Sequence, residues 1–485
     1  MSVSLPTTPR EFAPLGASGL ANFRLIPRIE TYPAVVSFAQ TLLGKLMLLI
    51  LFAVGLAYNH ESWAPLVFFL TLITFLPSQR RILLTASTLV FTFLVTWKTY
   101  KNWPYVATLL CLTLLLGALL FWSAARWPRS WYGRRAVLIF LSGFAALVVF
   151  AATTPQDAWF SHPLWDFTYM LSTYIWFIGY SLLDAKMEGH DAVGLQLGSY
   201  RPFWGSTIET VGGVGWNTPF AKGAAYLRRI EARSAEQLAV TQLKGVKLLA
   251  WASLISFFAD LYKHYVYVSL RIPTYSQALS LSASHVHLPW YLCWASLIAN
   301  FFGGIISLSV LGHTIIACCR MAGFNALRNT YRPLSSRTIA EFFNRYYFYF
   351  KELLVDFFFY PVFLRCFKKN YKLRLVVSIF AAACFGNAFF HFSRDLNLVY
   401  SFGLARALQG FWVYLFYCFA LATAISISRL RRRGPAPSGF IRGQLLPSFC
   451  VVLVYCLLDV FGSTERNYPL IEHFRFFAHL FNLNL

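Results

Sequence analysis

The sequence predicts an all-α polytopic membrane protein, and three observations carry that prediction. Of 485 residues, 58% are hydrophobic and only 13% are charged, whereas soluble domains carry about a quarter charged residues. Mean hydropathy is +0.55. The apolar residues run in long continuous stretches instead of alternating, which favours spanning helices over an outer-membrane barrel. The basic residues gather in the short connections between those stretches. The net charge of +23 therefore reads as a topology signal and not as a nucleic-acid surface.

Eleven apolar runs are candidate spans: 41–58, 63–78, 82–97, 103–123, 136–153, 165–183, 246–262, 288–318, 375–392, 398–428 and 443–461. Most match the length of a bilayer core; 63–78 is short, and 288–318 and 398–428 are long enough to tilt or break. Residues 1–40, with Arg10, Arg24 and Arg28, read as a cytoplasmic tail with an amphipathic tendency and not as a cleaved signal peptide. Residues 41–184 form the N-terminal helices, 185–244 a cytoplasmic loop region, 245–461 a second set of helices, and 462–485 a tail. Within the tail, Leu470-Ile471-Glu472-His473-Phe474-Arg475-Phe476-Phe477 has the pattern of a short amphipathic helix lying on the membrane.

Arg80 and Arg81, then Arg126, Arg129, Arg134 and Arg135, then Lys222, Arg228, Arg229, Arg233 and Lys244 fall on one side of these spans. The intervening turns 59–62 and 153–163 lack Lys and Arg. The basic side is the cytoplasm, which places the N-terminus there. The nine cysteines show no CxxC spacing and mostly lie inside apolar runs. They read as small buried hydrophobes, not as disulfides or metal ligands.

The stretch 339–361 is a separate case. Arg320, Arg328, Arg332 and Arg337 precede it, and Arg365, Lys368, Lys369, Lys372 and Arg374 follow it. Both flanks are cytoplasmic by charge, so the segment is expected to be re-entrant or interfacial. Backbone at membrane depth without a full span lines a cavity.

His391 ends the run Phe385-Gly386-Asn387-Ala388-Phe389-Phe390-His391. An ionisable side chain inside a span is costly and marks a functional site by default. The plain alternative is a histidine hydrogen-bonded between packed helices. Asn387 precedes His391 by four residues and shares its helix face, where it either orients the imidazole or bonds a neighbouring helix.

Several blocks, in order, resemble the membrane-bound O-acyltransferase (MBOAT) family, nearest to its bacterial branch that acylates alginate and other cell-surface polymers. Met321-Ala322-Gly323-Phe324 with Asn329 and Arg332-Pro333 is similar to the family's Gly-Phe…Asn-Phe…Arg-Pro-Tyr run. Ser336 with Ile339-Ala340-Glu341-Phe342-Phe343-Asn344-Arg345-Tyr346-Tyr347 resembles Ser-Ile-x-x-Phe-Trp-x-Arg-Trp-His. Asp356-Phe357-Phe358-Phe359-Tyr360-Pro361 resembles Asp-Tyr-x-Tyr-x-Pro, and Phe385 to His391 the block ending Gly-Leu-Trp-His. Gly245-Val246-Lys247-Leu248 with Ala259-Asp260, and Thr218-Pro219-Phe220 with Tyr226, are fainter matches. The resemblance covers about 205–395.

It implies a membrane-embedded enzyme that moves an acyl group from acyl-CoA or an acyl-carrier-protein thioester to a hydroxyl of an extracytoplasmic glycan or lipid-linked acceptor. His391 would be the general base, with Tyr347, Asn344 and Asn387 as polar support. Arg332 and Arg345 would meet the donor's phosphates, or act as topology signals alone. The partners implied are the lipid bilayer, the donor, the acceptor and an accessory transferase, in the inner membrane; no nucleic acid, metal or bound cofactor is implied.

Two departures stand out. Tyr347 occupies the place of the family's second histidine, and a phenol still donates to an oxyanion. The family's Phe-Asp-Phe-Ser-Gly-Tyr motif is missing near Ser307–Leu311. His313 lies close by as polar support or as a packing histidine. Asp356 reads as an ion-pair residue with Arg345 or Lys351, with polar support of the site as its second role. Two other classes stay open: a transporter or flippase of an anionic glycolipid, and an inactive relative acting as an assembly partner.

Overall fold

The computed structural model describes residues 25–59, 63–188, 222–286, 288–431, 439–462 and 468–483. The first part of the tail, most of the 185–244 loop with Thr218-Pro219-Phe220, and Arg432 to Pro437 lie outside the described residues. The described residues are helical, and their one β feature is an isolated bridge between Glu231 and Phe324. Eight helices are long and apolar enough to cross a membrane. Arg80–Tyr100 and Ser161–Glu188 are also long helices, and Trp63–Phe75 is short. Every apolar run expected to span is helical.

The helices begin and end where the chain supplies caps. Asn102, Ser130, Ser234 and Asn370 each accept a backbone N–H from the first turn that follows, satisfying one of the orphaned donors of that turn. The Ser234 cap starts its helix at Ala235, well before the expected 246, and the helix runs to Lys263. The expected span 398–428 is two helices, Leu396–Phe402 and Leu404–Leu430. Gly403 divides them at φ +79, a conformation that glycine adopts without a Cβ penalty.

The C-terminal helix Leu470–His479 departs from expectation. It is amphipathic, but its apolar face is inside the protein and not on the lipid surface. His473 and Phe476 are 0% exposed. The Tyr275 ring sits edge-on to Phe476 at 5.3 Å, and the His479 ring nitrogen is 2.6 Å from the Leu288 carbonyl. The Phe461 ring, 5.1 Å from Phe474, extends the same contact. A helix pattern identifies the apolar face, and neighbours distant in sequence decide what covers it.

The longest regular α-helix among the described residues, Trp290–Met321, packs most extensively against Ala235–Lys263. Past Met321 the chain turns back along it. A Cβ on Gly312 would stand 2.9 Å from Asn329 Nδ2, and one on Gly304 would stand 3.8 Å from the Tyr346 hydroxyl. Gly304 lies seventeen residues before Met321, a retreat of about 25 Å at 1.5 Å per residue. The folded-back chain contains the short helix Ile339–Tyr346, breaks at Tyr347, and leaves as a helical stretch over 348–365 with a π turn at Val355–Phe359. The return leg lies antiparallel to Tyr371–Arg394: Phe350 meets Phe390 at 4.7 Å, Phe358 meets Phe385 at 5.9 Å, and Phe363 meets Tyr371 at 6.4 Å. The chain thus turns back at the level of Gly304 and returns to the end of the bundle that Met321 occupies.

Buried turns need partners for their backbone groups, and the fold-back supplies them. Arg320 donates from Nε and Nη2 to the Ala326 carbonyl at 3.0 and 2.7 Å. Asn329 Oδ1 accepts from the Tyr349 amide at 3.3 Å, the Asn329 carbonyl accepts from the Phe348 amide at 3.0 Å, and the Thr330 hydroxyl donates to the Tyr346 carbonyl at 2.9 Å.

Candidate active site

The helix carrying His391 has a built-in irregularity. It runs as α-helix over Tyr371–Ile379, as π-helix over Phe380–Gly386, and as α-helix again over Asn387–Arg394. A π turn re-aims the side chains that follow it and is frequent at functional sites. Gly386 makes the arrangement possible, because a Cβ there would lie 2.4 Å from the Phe358 ring. That ring wedges the π turn against the return leg of the hairpin.

Asn387 and His391 stand on one face of this helix, four residues apart. Asn387 is 1% exposed. Its Oδ1 accepts a hydrogen bond of 3.0 Å from the Tyr414 hydroxyl. Its Nδ2 is buried with no hydrogen-bond partner. The Tyr414 ring also lies 4.4 Å from the His391 ring, and Phe350 meets that imidazole edge-on at 5.7 Å. Tyr414 thus holds both polar side chains, Asn387 by its hydroxyl and His391 by its ring.

Asn387 and His391 line a cavity of about 510 Å³. Its inner wall comes from the broken segment: Phe342, Tyr346, Tyr347 and Phe350. Its far wall comes from Asn300, Gly303, Gly304 and Ser307 on the longest helix, and from Tyr417 and Asp459. Lys263, Tyr267 and Gly462 lie near helix ends opposite to Met321 and its basic neighbours, so the cavity extends from the middle of the bundle toward that opposite side. Tyr262, whose hydroxyl donates to the Ala299 carbonyl at 2.9 Å, belongs to the same level.

Of the residues singled out from sequence, His391, Asn387 and Tyr347 share this cavity. The others do not line it. Asn344 is exposed on the Ile339–Tyr346 helix, whose buried residue is Phe342; one polar position on a helix does not reveal which way it faces. Arg345 is held by Glu341 at 2.6 Å and donates to the Ser335 hydroxyl at 2.7 Å. Arg332 is exposed, its guanidinium 5.6 Å from the Tyr331 ring. His313 is buried at 7% exposure, deeper along the longest helix.

Asp356 is an ion-pair residue, but its partner is Lys222 at 2.8 Å and not Arg345 or Lys351. Lys222 also meets Glu352 at 2.8 Å, and Tyr180 donates to Asp356 at 3.2 Å. Burial works against the Lys222 ammonium, yet the Asp356 and Glu352 carboxylates hold its pKa above the ordinary lysine value.

Among the cavity residues that escaped the sequence reading are Asp459, Asn300, Arg394 and Tyr414. Asp459 carried a visible signal, as an acidic residue inside an otherwise apolar run. Its Oδ2 accepts from Asn300 Nδ2 at 2.7 Å. Arg394 is paired with the adjacent Asp395 at 2.8 Å. Asn300 and Tyr414 gave no signal, since each acquires meaning only from a partner more than twenty residues away. In comparisons with known proteins, no family model matches the chain and no curated protein matches it.

Proposed function

We propose that this chain is a membrane-embedded O-acyltransferase of the MBOAT type, with eleven spans, a re-entrant segment and a cytoplasmic N-terminus, in the inner membrane. The observation that carries the reading is the pairing of His391 with the orphaned Asn387 amide on one face of a cavity at mid-bundle. Such a pair has the two functions that acyl transfer requires, a base for the hydroxyl proton and a donor for the oxyanion.

In this reading His391 takes the proton of the acceptor hydroxyl as its oxygen attacks the thioester carbonyl carbon. The carbonyl becomes a tetrahedral oxyanion, which the Asn387 Nδ2–H and the Tyr347 hydroxyl stabilise. Collapse breaks the C–S bond, and the leaving thiolate takes the proton from His391. The products are an ester and a free thiol. The donor, acyl-CoA or an acyl carrier protein, approaches from the basic side that carries Arg332. The acceptor, a glycan or lipid-linked hydroxyl, enters from the opposite side, toward which the cavity extends. An accessory transferase would complete the modification outside.

The test is the ester-linked acyl content of envelope fractions from a null strain carrying wild type or His391→Ala at matched protein levels. Loss of ester in the null and the alanine strain alone is the expected result. Restoration by His391→Ala would sink the mechanism. Asp459 in the cavity favours the transporter as second reading, because an ionisable residue within an apolar helix marks substrate pathways. A transporter would keep its phenotype in His391→Ala.

A further inference from the structure

Asp459 poses a problem that the acyl-transfer chemistry does not answer. It sits in the apolar helix Leu446–Gly462, and among the described residues its one hydrogen-bond partner is the neutral amide of Asn300. No described lysine, arginine or histidine lies within ion-pair distance of it. Arg394, the nearest cation by cavity membership, is taken by Asp395, and Lys263 is exposed at the cavity end. Asp459 is half-buried in the cavity wall, and a carboxylate within an apolar helix is normally matched by a positive charge.

The surroundings suit a positive ligand. Tyr346, Tyr417 and Tyr455 line the cavity together with Asp459. Phe342 stacks on Tyr455 at 4.0 Å and on Phe301 at 6.2 Å, which fixes the wall. A Cβ on Gly462, three residues after Asp459, would stand 3.1 Å from the Tyr417 ring, so the phenol lies against the end of that helix. Aromatic faces attract cations, most strongly where water is excluded. At the inner end of the same cavity the unpartnered buried Asn387 Nδ2 is a hydrogen-bond donor waiting for an oxygen. The cavity is therefore polar in two different senses, donor at one end and anionic at the other.

We propose that Asp459, held by Asn300 and walled by aromatic rings, is an ammonium-binding subsite. It selects an acceptor that carries a protonated amine beside the hydroxyl to be acylated, as an amino sugar does. This rests on the reading of the cavity as the acceptor chamber.

The experiment uses the full-length protein in detergent micelles and follows its thermal unfolding midpoint against glucosamine, N-acetylglucosamine and glucose at matched ionic strength. A saturable rise with glucosamine alone is expected. Asp459→Asn, isosteric and uncharged, should lose that rise, and Tyr417→Leu should weaken the apparent affinity about 5-fold. His391→Ala should keep the response. The proposal is overturned if glucosamine gives no rise, if glucose or N-acetylglucosamine match it, or if Asp459→Asn responds like wild type. Should Asp459→Asn not fold, an unchanged affinity in Tyr417→Leu overturns it equally. A glucosamine response without any His391-dependent ester formation would leave the subsite standing and defeat the acyl-transfer reading; the reverse pattern would do the opposite.

Discussion

Replacing both Asn387 and Tyr414 by apolar isosteres should yield a protein more stable than wild type and without activity. In the wild type, Asn387 Oδ1 accepts from the Tyr414 hydroxyl at 3.0 Å while Nδ2 is left unpartnered. A buried polar group without a partner costs about 1–3 kcal/mol. Tyr414→Phe strands Oδ1 as well, so it should destabilise by about 1–3 kcal/mol. Asn387→Leu removes the orphaned Nδ2 but also takes away the 3.0 Å bond that the Tyr414 hydroxyl donates, so the two effects nearly cancel. Tyr414→Phe with Asn387→Leu leaves neither group, and should gain about 1–3 kcal/mol over wild type. The Phe ring keeps the contact with His391 that Tyr414 makes at 4.4 Å, so the imidazole stays in place. The assay is thermal unfolding of all four proteins in one detergent, run beside ester content in membranes. A double variant as unstable as the sum of its single variants would refute the accounting. A double variant that still forms ester would refute a role for Asn387. The gain expected here is the stability commonly given up at a working site.

Three further outcomes follow from the packing. Gly386→Ala should lower stability by about 1–3 kcal/mol, because its new methyl meets the Phe358 ring; the paired variant Gly386→Ala with Phe358→Leu should recover part of it, measured by unfolding. Lys222→Met should lower stability by about 2 kcal/mol, since it leaves Asp356 without its cation beside Glu352, which keeps Lys351; adding Glu352→Gln should restore some of the loss. Asn344→Ala, on an exposed position, should leave both unfolding and ester content unchanged, and any tenfold fall in ester would return Asn344 to the site.

The positions of the helices were largely legible in the sequence, because apolar length alone determines where a chain can rest in lipid. The π turn before Asn387 and the Gly403 break were not, since both depend on what packs alongside. The folded-back course of 322–365 was legible from charge, the basic residues on its two flanks being visible without any knowledge of packing. The site was half legible. His391 and Asn387 share a helix, so their spacing showed in the sequence itself. Asp459 and Asn300 are brought together only by the fold, and the exposed face of Asn344 is decided by Phe342 turning inward beside it. Asp356 was correctly expected to form an ion pair, but its partner came from a connecting segment whose position no periodicity describes.

The folded-back chain between Met321 and Tyr347 also constrains how the protein is made. Its backbone is not a continuous helix, and its carbonyls and amides are satisfied by Arg320, Asn329 and Thr330, within the segment or at its edge. Apolar helices can enter a bilayer one by one, but a broken segment tolerates membrane depth only once protein surrounds it. The longest helix precedes it during synthesis, whereas the helices Tyr371–Arg394 and Leu404–Leu430, which close its other side, follow it. A hairpin of this kind, if it lies at membrane depth, would wait at the surface until the His391 helix is synthesised, and then settle. A nascent chain halted at residue 370 should leave the hairpin open to protease, and one halted past 431 should protect it.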